Sequence, residues 1–349
     1  MKLLLISVKS TVSRGGIAMW TDRFMTACER QNIECDLVNT EAVGKRAEIG
    51  SASRSLKAEL LRTRRILKEL KRYLKNGDEY SVVHLNTSCG PFGLFRDYWM
   101  ARKVKKKKLR LVTHFHCDIP FWIHNSLSYK CLGKLVALSD ERLVLCENSR
   151  IYLEKNFGAD SVKMPNFIDA AMIVSNEKNI RDELTNILFV GGVTKAKGAE
   201  EIFALARTFP DITFEMIGAV SDTVAAWEQP KNVILSGGMP HDNVIEKLDS
   251  ADIFLFPSHS EGFSLALTEA MARGVPSIAT DVGANADMLE GGCGIVVTKG
   301  DVDAMERAIR ALRSFKLRQD ISQKAKEKVK NTYTTDAVMQ KLCGVYGVK

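Results

Sequence analysis

Glu261 and Glu269 stand eight residues apart in the run Phe254-Leu255-Phe256-Pro257-Ser258-His259-Ser260-Glu261-Gly262-Phe263-Ser264-Leu265-Ala266-Leu267-Thr268-Glu269. The pattern reads as a strand, a loop and then a helix opening near Ser264. Gly262 lets backbone approach a ligand closely, and the first turn of the helix presents unpaired N–H groups at a positive dipole end. That combination suits a phosphate. The two carboxylates, separated by the loop and about one helical turn, can reach different parts of one extended ligand, each accepting hydroxyl hydrogen bonds. Their spacing alone proves little.

Other residues offer complementary chemistry. Lys197 precedes Gly198 and a helical pattern, a suitable place for a cation that neutralises a diphosphate. The turn Ser13-Arg14-Gly15-Gly16-Ile17-Ala18 follows the first apolar run and opens a helix, so its backbone can also approach a ligand. The segment Val112-Thr113-His114-Phe115-His116-Cys117-Asp118 ends a strand, where open α/β sheets bind ligands. His114 and His116 are expected to face opposite ways, so that one of them reaches a ligand. The eight cysteines are scattered, with no CxxC pair and no Cys/His cluster at metal-ligand spacing, which argues against a disulfide framework or a structural zinc.

Short apolar runs alternate with helical patterns, which is how βαβ units and a mostly parallel sheet read. The fold class is α/β. Strands are expected at Leu3–Val8, Glu34–Val38, Val82–Asn86, Arg110–His114 and Arg142–Cys146. In the second half they are expected at Asn186–Gly191, Thr213–Ile217, Asn232–Ser236, Ile253–Pro257, Pro276–Thr280 and Gly294–Val297. Met164-Pro165-Asn166 and the polar stretch Ser175–Glu183 interrupt the pattern, setting a domain boundary near 168. With 349 residues, 45% hydrophobic and 26% charged, the chain suffices for two cores. The opening apolar run is too short for a secretory signal and reads as a first buried strand. No stretch reaches the roughly 18 to 20 apolar residues of a membrane span. A cytoplasmic protein is expected, peripheral on the inner face of the cytoplasmic membrane.

The whole string is more specific than its parts. Pro-Ser-x-x-Glu-Gly-Phe-Ser and Thr-Glu-Ala-Met-Ala are followed by Gly274-Val275-Pro276, Ala279-Thr280-Asp281-Val282-Gly283 and Gly294-Ile295-Val296-Val297. Upstream stand Phe189-Val190-Gly191-Gly192, Lys197-Gly198 and Met216-Ile217-Gly218. Together they closely resemble the donor-binding signature of the retaining GT-B glycosyltransferases of family four, over 186–300. The resemblance implies two Rossmann-like doubly wound domains facing a cleft: 1–168 for the acceptor and 169–331 for a nucleotide-diphosphate sugar. It also implies a final helix, 332–349, packing back on the first domain.

By the same resemblance Glu261 faces the donor sugar and Glu269 the ribose. The backbone of Gly262, Phe263, Ser264 and Leu265 holds the diphosphate and sugar, and Lys197 neutralises the departing diphosphate. Gly15 and Gly16 match the family's glycine loop, His116 its histidine beside the reacting centre, and Asn166 its Pro-Asn hinge. The family usually carries arginine where this chain has Gly192, and Lys195 is expected to make good the charge. The implied reaction retains configuration by front-face attack, the leaving phosphate oxygen taking the acceptor's proton. It needs no enzymic nucleophile, cofactor or metal.

Residues 1–168 hold 30 Lys/Arg against 17 Asp/Glu, and 169–349 hold 20 against 25. A half that basic is drawn to anions. From Arg54 to Lys75 nine basic residues meet two acidic ones, with Leu56, Leu60, Leu67, Leu70 and Leu74 on one helical face. Packing of that face on the sheet and contact of the basic face with anionic membrane, aided by Lys103–Arg110, are both expected. Nucleic acid is not an expected partner, for no recognition motif is present. The expected partners are a nucleotide sugar and a glycan or lipid-linked acceptor, as in surface polysaccharide or lipopolysaccharide assembly. A catalytically silent nucleotide-sugar-binding or membrane-associated scaffold is the rival reading, kept open by Gly192.

Overall fold

The computed structural model describes residues 1–9, 15–41, 56–174, 178 and 180–347. Ser13, Arg14 and Arg54 of the segments above lie outside the described residues, as does part of the polar stretch 175–183. Two compact units form: Met1–Asn166 with Val338–Lys349, and Phe167–Ala337.

In the first unit the strands are β1 Lys2–Ser7, β2 Glu34–Asn39, β3 Val82–Thr87, β4 Leu111–Phe115, β5 Glu141–Val144 and β6 Val162–Lys163. All pair in parallel, in the order β2-β1-β3-β4-β5-β6. Helices cover the sheet, so β3 and β4 are buried at every position. Such strands are short and do not alternate apolar with polar, and the polar residues they carry, His84, Asn86, Thr87, Thr113 and His114, are buried as well. The strand expected at Arg142–Cys146 stops at Val144, because Cys146 already serves as the N-cap of the helix Glu147–Phe157. The two-residue β6 is too short to leave a periodic signal.

The second unit holds β7 Asn186–Val190, β8 Thr213–Ile217, β9 Val233–Gly237, β10 Ile253–Phe256, β11 Ser277–Thr280 and β12 Ile295–Val297. The parallel order is β12-β11-β10-β7-β8-β9. The direction of winding reverses between β7 and β10, and a doubly wound sheet opens its ligand crevice at that switch point, beyond the carboxyl ends of the strands. Its core is aromatic where β7 and β10 meet: Phe189 stacks on Phe256 at 6.0 Å and Phe254 on Phe256 at 5.8 Å.

The helices Phe315–Thr332 and Thr335–Tyr346 break at Tyr333–Thr334. There the chain pairs with Ile168, whose N–H donates to the Tyr333 carbonyl and whose carbonyl accepts from Thr335 N–H, both at 2.9 Å. Val338 onward belongs to the first unit. In that unit the Tyr346 hydroxyl meets His84 Nδ1 at 2.6 Å and His84 Nε2 meets Asn86 Oδ1 at 2.9 Å. Asn86 Nδ2 donates to Ser7 Oγ at 2.9 Å, Ser7 pairs with Thr21 at 2.6 Å, and Thr21 Oγ1 donates to the Ile17 carbonyl at 2.8 Å. A buried polar file therefore runs from the last helix through β3 and β1 to the first turn of the helix Gly16–Arg30.

Candidate functional site

The loops after β7 and β10 meet at the switch point of the second unit. After β7 the chain makes a short 3-10 turn, Lys195–Lys197, and enters the helix Ala199–Thr208 through Gly198. Gly198 has φ +85°, and a Cβ there would lie 2.4 Å from the Pro257 carbonyl oxygen. Only glycine lets the turn press so closely on the end of β10. His259 N–H adds a bond to the Ala196 carbonyl at 3.0 Å. Held this way, the Lys197 ammonium bonds the Glu261 carboxylate through Oε1, with the Ser260 carbonyl at 3.5 Å. Lys197 and Glu261 come from positions 64 residues apart.

Glu261 is carried by a loop that is itself clamped. Gly283, at φ +56°, would place a Cβ 2.4 Å from the Glu261 carbonyl oxygen, and Ala284 N–H donates to the Gly262 carbonyl at 3.0 Å. Next comes the helix Leu265–Ala272, whose N-cap is Ser264: its hydroxyl accepts from Leu267 N–H at 3.1 Å. The Leu265 and Ala266 N–H groups precede that bond and have no intrahelical acceptor, the usual condition of a first turn. The Phe263 ring turns inward, edge-on to Tyr333 at 5.5 Å, so its backbone is the part that faces outward chemistry. Glu269 lies buried one turn into the helix, with Oε1 at 3.2 Å from His241 Nε2.

Gly192 sits on the β7 loop with room around it: a Cβ added there would find Thr194 Cγ2 as its nearest neighbour, at 3.9 Å. Lys195, expected to make good the missing arginine, is 66% exposed and its ammonium is held by Glu200 at 2.9 Å. On so tight a turn, positions only two apart diverge, and Lys195 follows the nearest carboxylate into solvent.

In the first unit Gly15 is the N-cap of the helix Gly16–Arg30, with no side-chain cap; a Cβ at Gly15 or Gly16 would meet nothing within 4 Å among the described residues. Among the described residues nothing demands glycine there by contact. The opposite-facing reading of His114 and His116 is corrected: their rings lie 3.9 Å apart, because residues two apart on an extended chain share a side. His114 Nε2 is at 3.1 Å from the Met164 carbonyl. Among the described residues no hydrogen bond reaches either buried His116 nitrogen, although the Asn166 side chain lies close enough to oppose the lowering of its pKa. Burial, then the charge His84 would carry, pushes His116 down to about 3, so its ring is neutral. Asn166 is buried at the end of the unit with its Oδ1 also unpartnered.

The family model for glycosyl transferases group 1 matches residues 173–328, and that for Glycosyltransferase Family 4 matches 14–171. The chain belongs to glycosyltransferase family four. The chain is 26% identical over 235 residues to an uncharacterized 41.2 kDa protein in the cps region of Klebsiella pneumoniae, covering 62% of this chain and 64% of that one. It is 25% identical to N-acetyl-alpha-D-glucosaminyl L-malate synthase of Bacillus anthracis, over 52% of each chain. To the capsular polysaccharide biosynthesis glycosyltransferase CapM of Staphylococcus aureus it is 27% identical, over 45% of this chain and 44% of that one. The chain thus spans about half to two thirds of the length of these relatives.

Among solved structures, sucrose-phosphate synthase from Thermosynechococcus elongatus matches with a TM-score of 0.80 at 16% identity, over 99% of this chain and 98% of that one. The lipopolysaccharide outer core galactosyltransferase WaaB matches at 0.75 and 19%, over 99% of each. HepE of Anabaena in complex with UDP matches at 0.73 and 15%, over 99% of this chain and 100% of that one. At such identities the likeness shows the fold, which is GT-B.

Two partners in the second unit escape a reading of the sequence: His241 meets Glu269, and Glu201 meets His259 at 2.6 Å. Each comes from an element distant in sequence, so no spacing rule could have found it.

Proposed function

We propose that this chain transfers a sugar from a nucleotide-diphosphate sugar, with retention at the anomeric carbon, to a hydroxyl of a glycan or lipid-linked acceptor in surface polysaccharide or lipopolysaccharide biosynthesis. The observation that carries the reading is the Lys197–Glu261 contact beside the open first turn of the helix Leu265–Ala272, at the carboxyl ends of β7 and β10. HepE, which shares the fold, was solved with UDP.

The diphosphate lies on the backbone N–H groups of Gly262–Ala266, at the positive end of the helix. Lys197 supplies the charge that meets the departing phosphate. With Oε1 on Lys197, Glu261 keeps Oε2 for sugar hydroxyls, and Glu269 accepts from the ribose. The glycosidic C–O bond to phosphate breaks as the acceptor oxygen bonds the anomeric carbon on the same face, and the acceptor proton passes to the leaving phosphate oxygen. The protein's work is positioning and charge stabilisation. The first unit takes the acceptor, with the neutral His116 at the carboxyl end of β4, where open sheets bind ligands.

The test is a thermal-shift and turnover screen of UDP-, GDP- and ADP-sugars, with a CMP-sugar as the monophosphate control. One diphosphate sugar should stabilise the protein, and Glu261→Ala and Lys197→Ala should each diminish the shift. Stabilisation untouched by both substitutions would place the donor elsewhere. Gly192 and the diversion of Lys195 favour a second reading, a silent nucleotide-sugar-binding scaffold. That reading requires the same binding with no release of nucleoside diphosphate in the presence of any acceptor.

A further inference from the structure

The helices Leu56–Tyr73, Pro91–Lys106 and Ser126–Leu138 pack in sequence beside one another in the first unit. The leucine face expected to pack on the sheet does so only in part. Ile66, Leu70 and Leu74 are buried, but Leu56 and Leu60 stand in solvent, Leu60 at 60% exposure. Their turn lies beyond the reach of the sheet.

These leucines are not alone. Phe92, Phe95 and Trp99 fall at steps of three and four along Pro91–Lys106, on one exposed face, with Phe95 at 47%. Leu127, at the start of Ser126–Leu138, is 71% exposed. Leu56, Leu60, Phe92, Phe95 and Leu127 line one groove of about 390 Å³. In βαβ units the helix starts lie at the carboxyl edge of the sheet, so this apolar surface occupies the same edge of the unit as Gly15 and His116.

Charge surrounds it in a definite order. Continuing along the same faces come Arg64 and Lys68 on the first helix, Arg102 and Lys106 on the second, and Lys130 and Lys134 on the third. The Arg102 guanidinium lies 5.0 Å from the Trp99 ring centre. Glu59 also lines the groove but is buried beside Arg62, so the exposed charge that continues from the leucine and aromatic side chains along these faces is cationic. An anionic bilayer presents both complements at once, acyl chains for the apolar residues and headgroups for the cations.

We propose that this three-helix face docks the protein on an anionic lipid surface, with Leu56, Leu60, Phe95, Trp99 and Leu127 entering the headgroup–acyl boundary. Docking is separable from sugar transfer, since vesicle binding is read without any nucleotide sugar. The decisive experiment is flotation of the full chain with vesicles of phosphatidylcholine alone and of phosphatidylcholine with phosphatidylglycerol. The protein should float with the anionic vesicles and scarcely with the neutral ones. Phe95→Ser/Trp99→Ser should cut the partition coefficient at least about tenfold, as the loss of two interfacial rings implies. Leu56→Ser/Leu60→Ser provides an independent pair should the first fold poorly, and its loss of binding carries the same weight. Absence of binding to anionic vesicles at low salt would overturn the proposal. So would binding that both folded variants retain, or a lipid-free dimer that both variants dissociate, which would make the face a contact between two copies.

Discussion

Gly283→Ala tests how tightly the Glu261 loop is tied to its support. The new Cβ would stand 2.4 Å from the Glu261 carbonyl oxygen and 2.8 Å from the Gly262 carbonyl oxygen. Ordinary contact begins near 3.4 Å, so the loop must retreat by about 1 Å, a misplacement that can cost on the order of 10²-fold in rate. A second cost, roughly 1–2 kcal/mol, comes from holding alanine at φ +56°. Gly291→Ala separates the two, because Gly291 has φ +79° with nothing within 4 Å of the added carbon. Both variants should lose stability in a thermal melt, Gly283→Ala the more because it adds a backbone clash to the shared φ strain. Only Gly283→Ala should lose kcat/KM for release of nucleoside diphosphate, by about 10–100-fold. Equal kcat/KM in the two variants would refute the claim that this clamp sets the position of Glu261.

Lys197→Ala should lower kcat by about 10²–10³-fold with little change in melting temperature, since it removes a cation needed most as the leaving phosphate gains charge; a loss confined to KM would argue against that role. Ser264→Ala removes the cap of the helix Leu265–Ala272 and should cost about 1 kcal/mol in urea unfolding, whereas Ser264→Asp should recover most of it. The histidine cluster predicts acid sensitivity. Burial pushes His84 and His116 down to about 3 and His114 well down, so between pH 6.5 and 3 the unfolded chain binds protons that the folded chain refuses. Stability is then full above about 6.5 and falls with pH, by about 2 kcal/mol at pH 5 for each of His84 and His116. Unfolding free energies equal at pH 7 and pH 5 would contradict this, and His84→Asn should flatten the slope.

The α/β class and most strands are legible because parallel strands buried on both faces must be short apolar runs, and Thr213–Ile217 falls where the pattern puts it. The association of Lys197 with Glu261 comes from a motif rather than from periodicity, and the fold brings the two into contact. What stays hidden depends on packing. Periodicity defines the leucine face of Leu56–Tyr73 but not where the sheet beneath it ends, so it assigns Leu56 and Leu60 to a core they do not reach. Charge alone assigns Lys195, and the nearer carboxylate of Glu200 decides its direction. His241 and Glu201 acquire partners only once separate βαβ units are brought together, His241 from the next helix and Glu201 from the loop after β10.

The polar file from Tyr346 to Ile17 has a consequence for how the chain is made. His84 sits in the middle of the first sheet, yet one of its two hydrogen bonds is to a residue 262 positions later. A ribosome delivers β1 to β6 early, and domains generally fold as they emerge, but this one must hold a buried imidazole half-satisfied until the helix bearing Tyr346 arrives. No single cut in the gene separates the two units, because the first is sewn shut by residues from Val338 onward. A fragment ending near Asn166 should therefore resemble an unfinished product, prone to stick or be degraded, until a peptide bearing Tyr346 is supplied in trans.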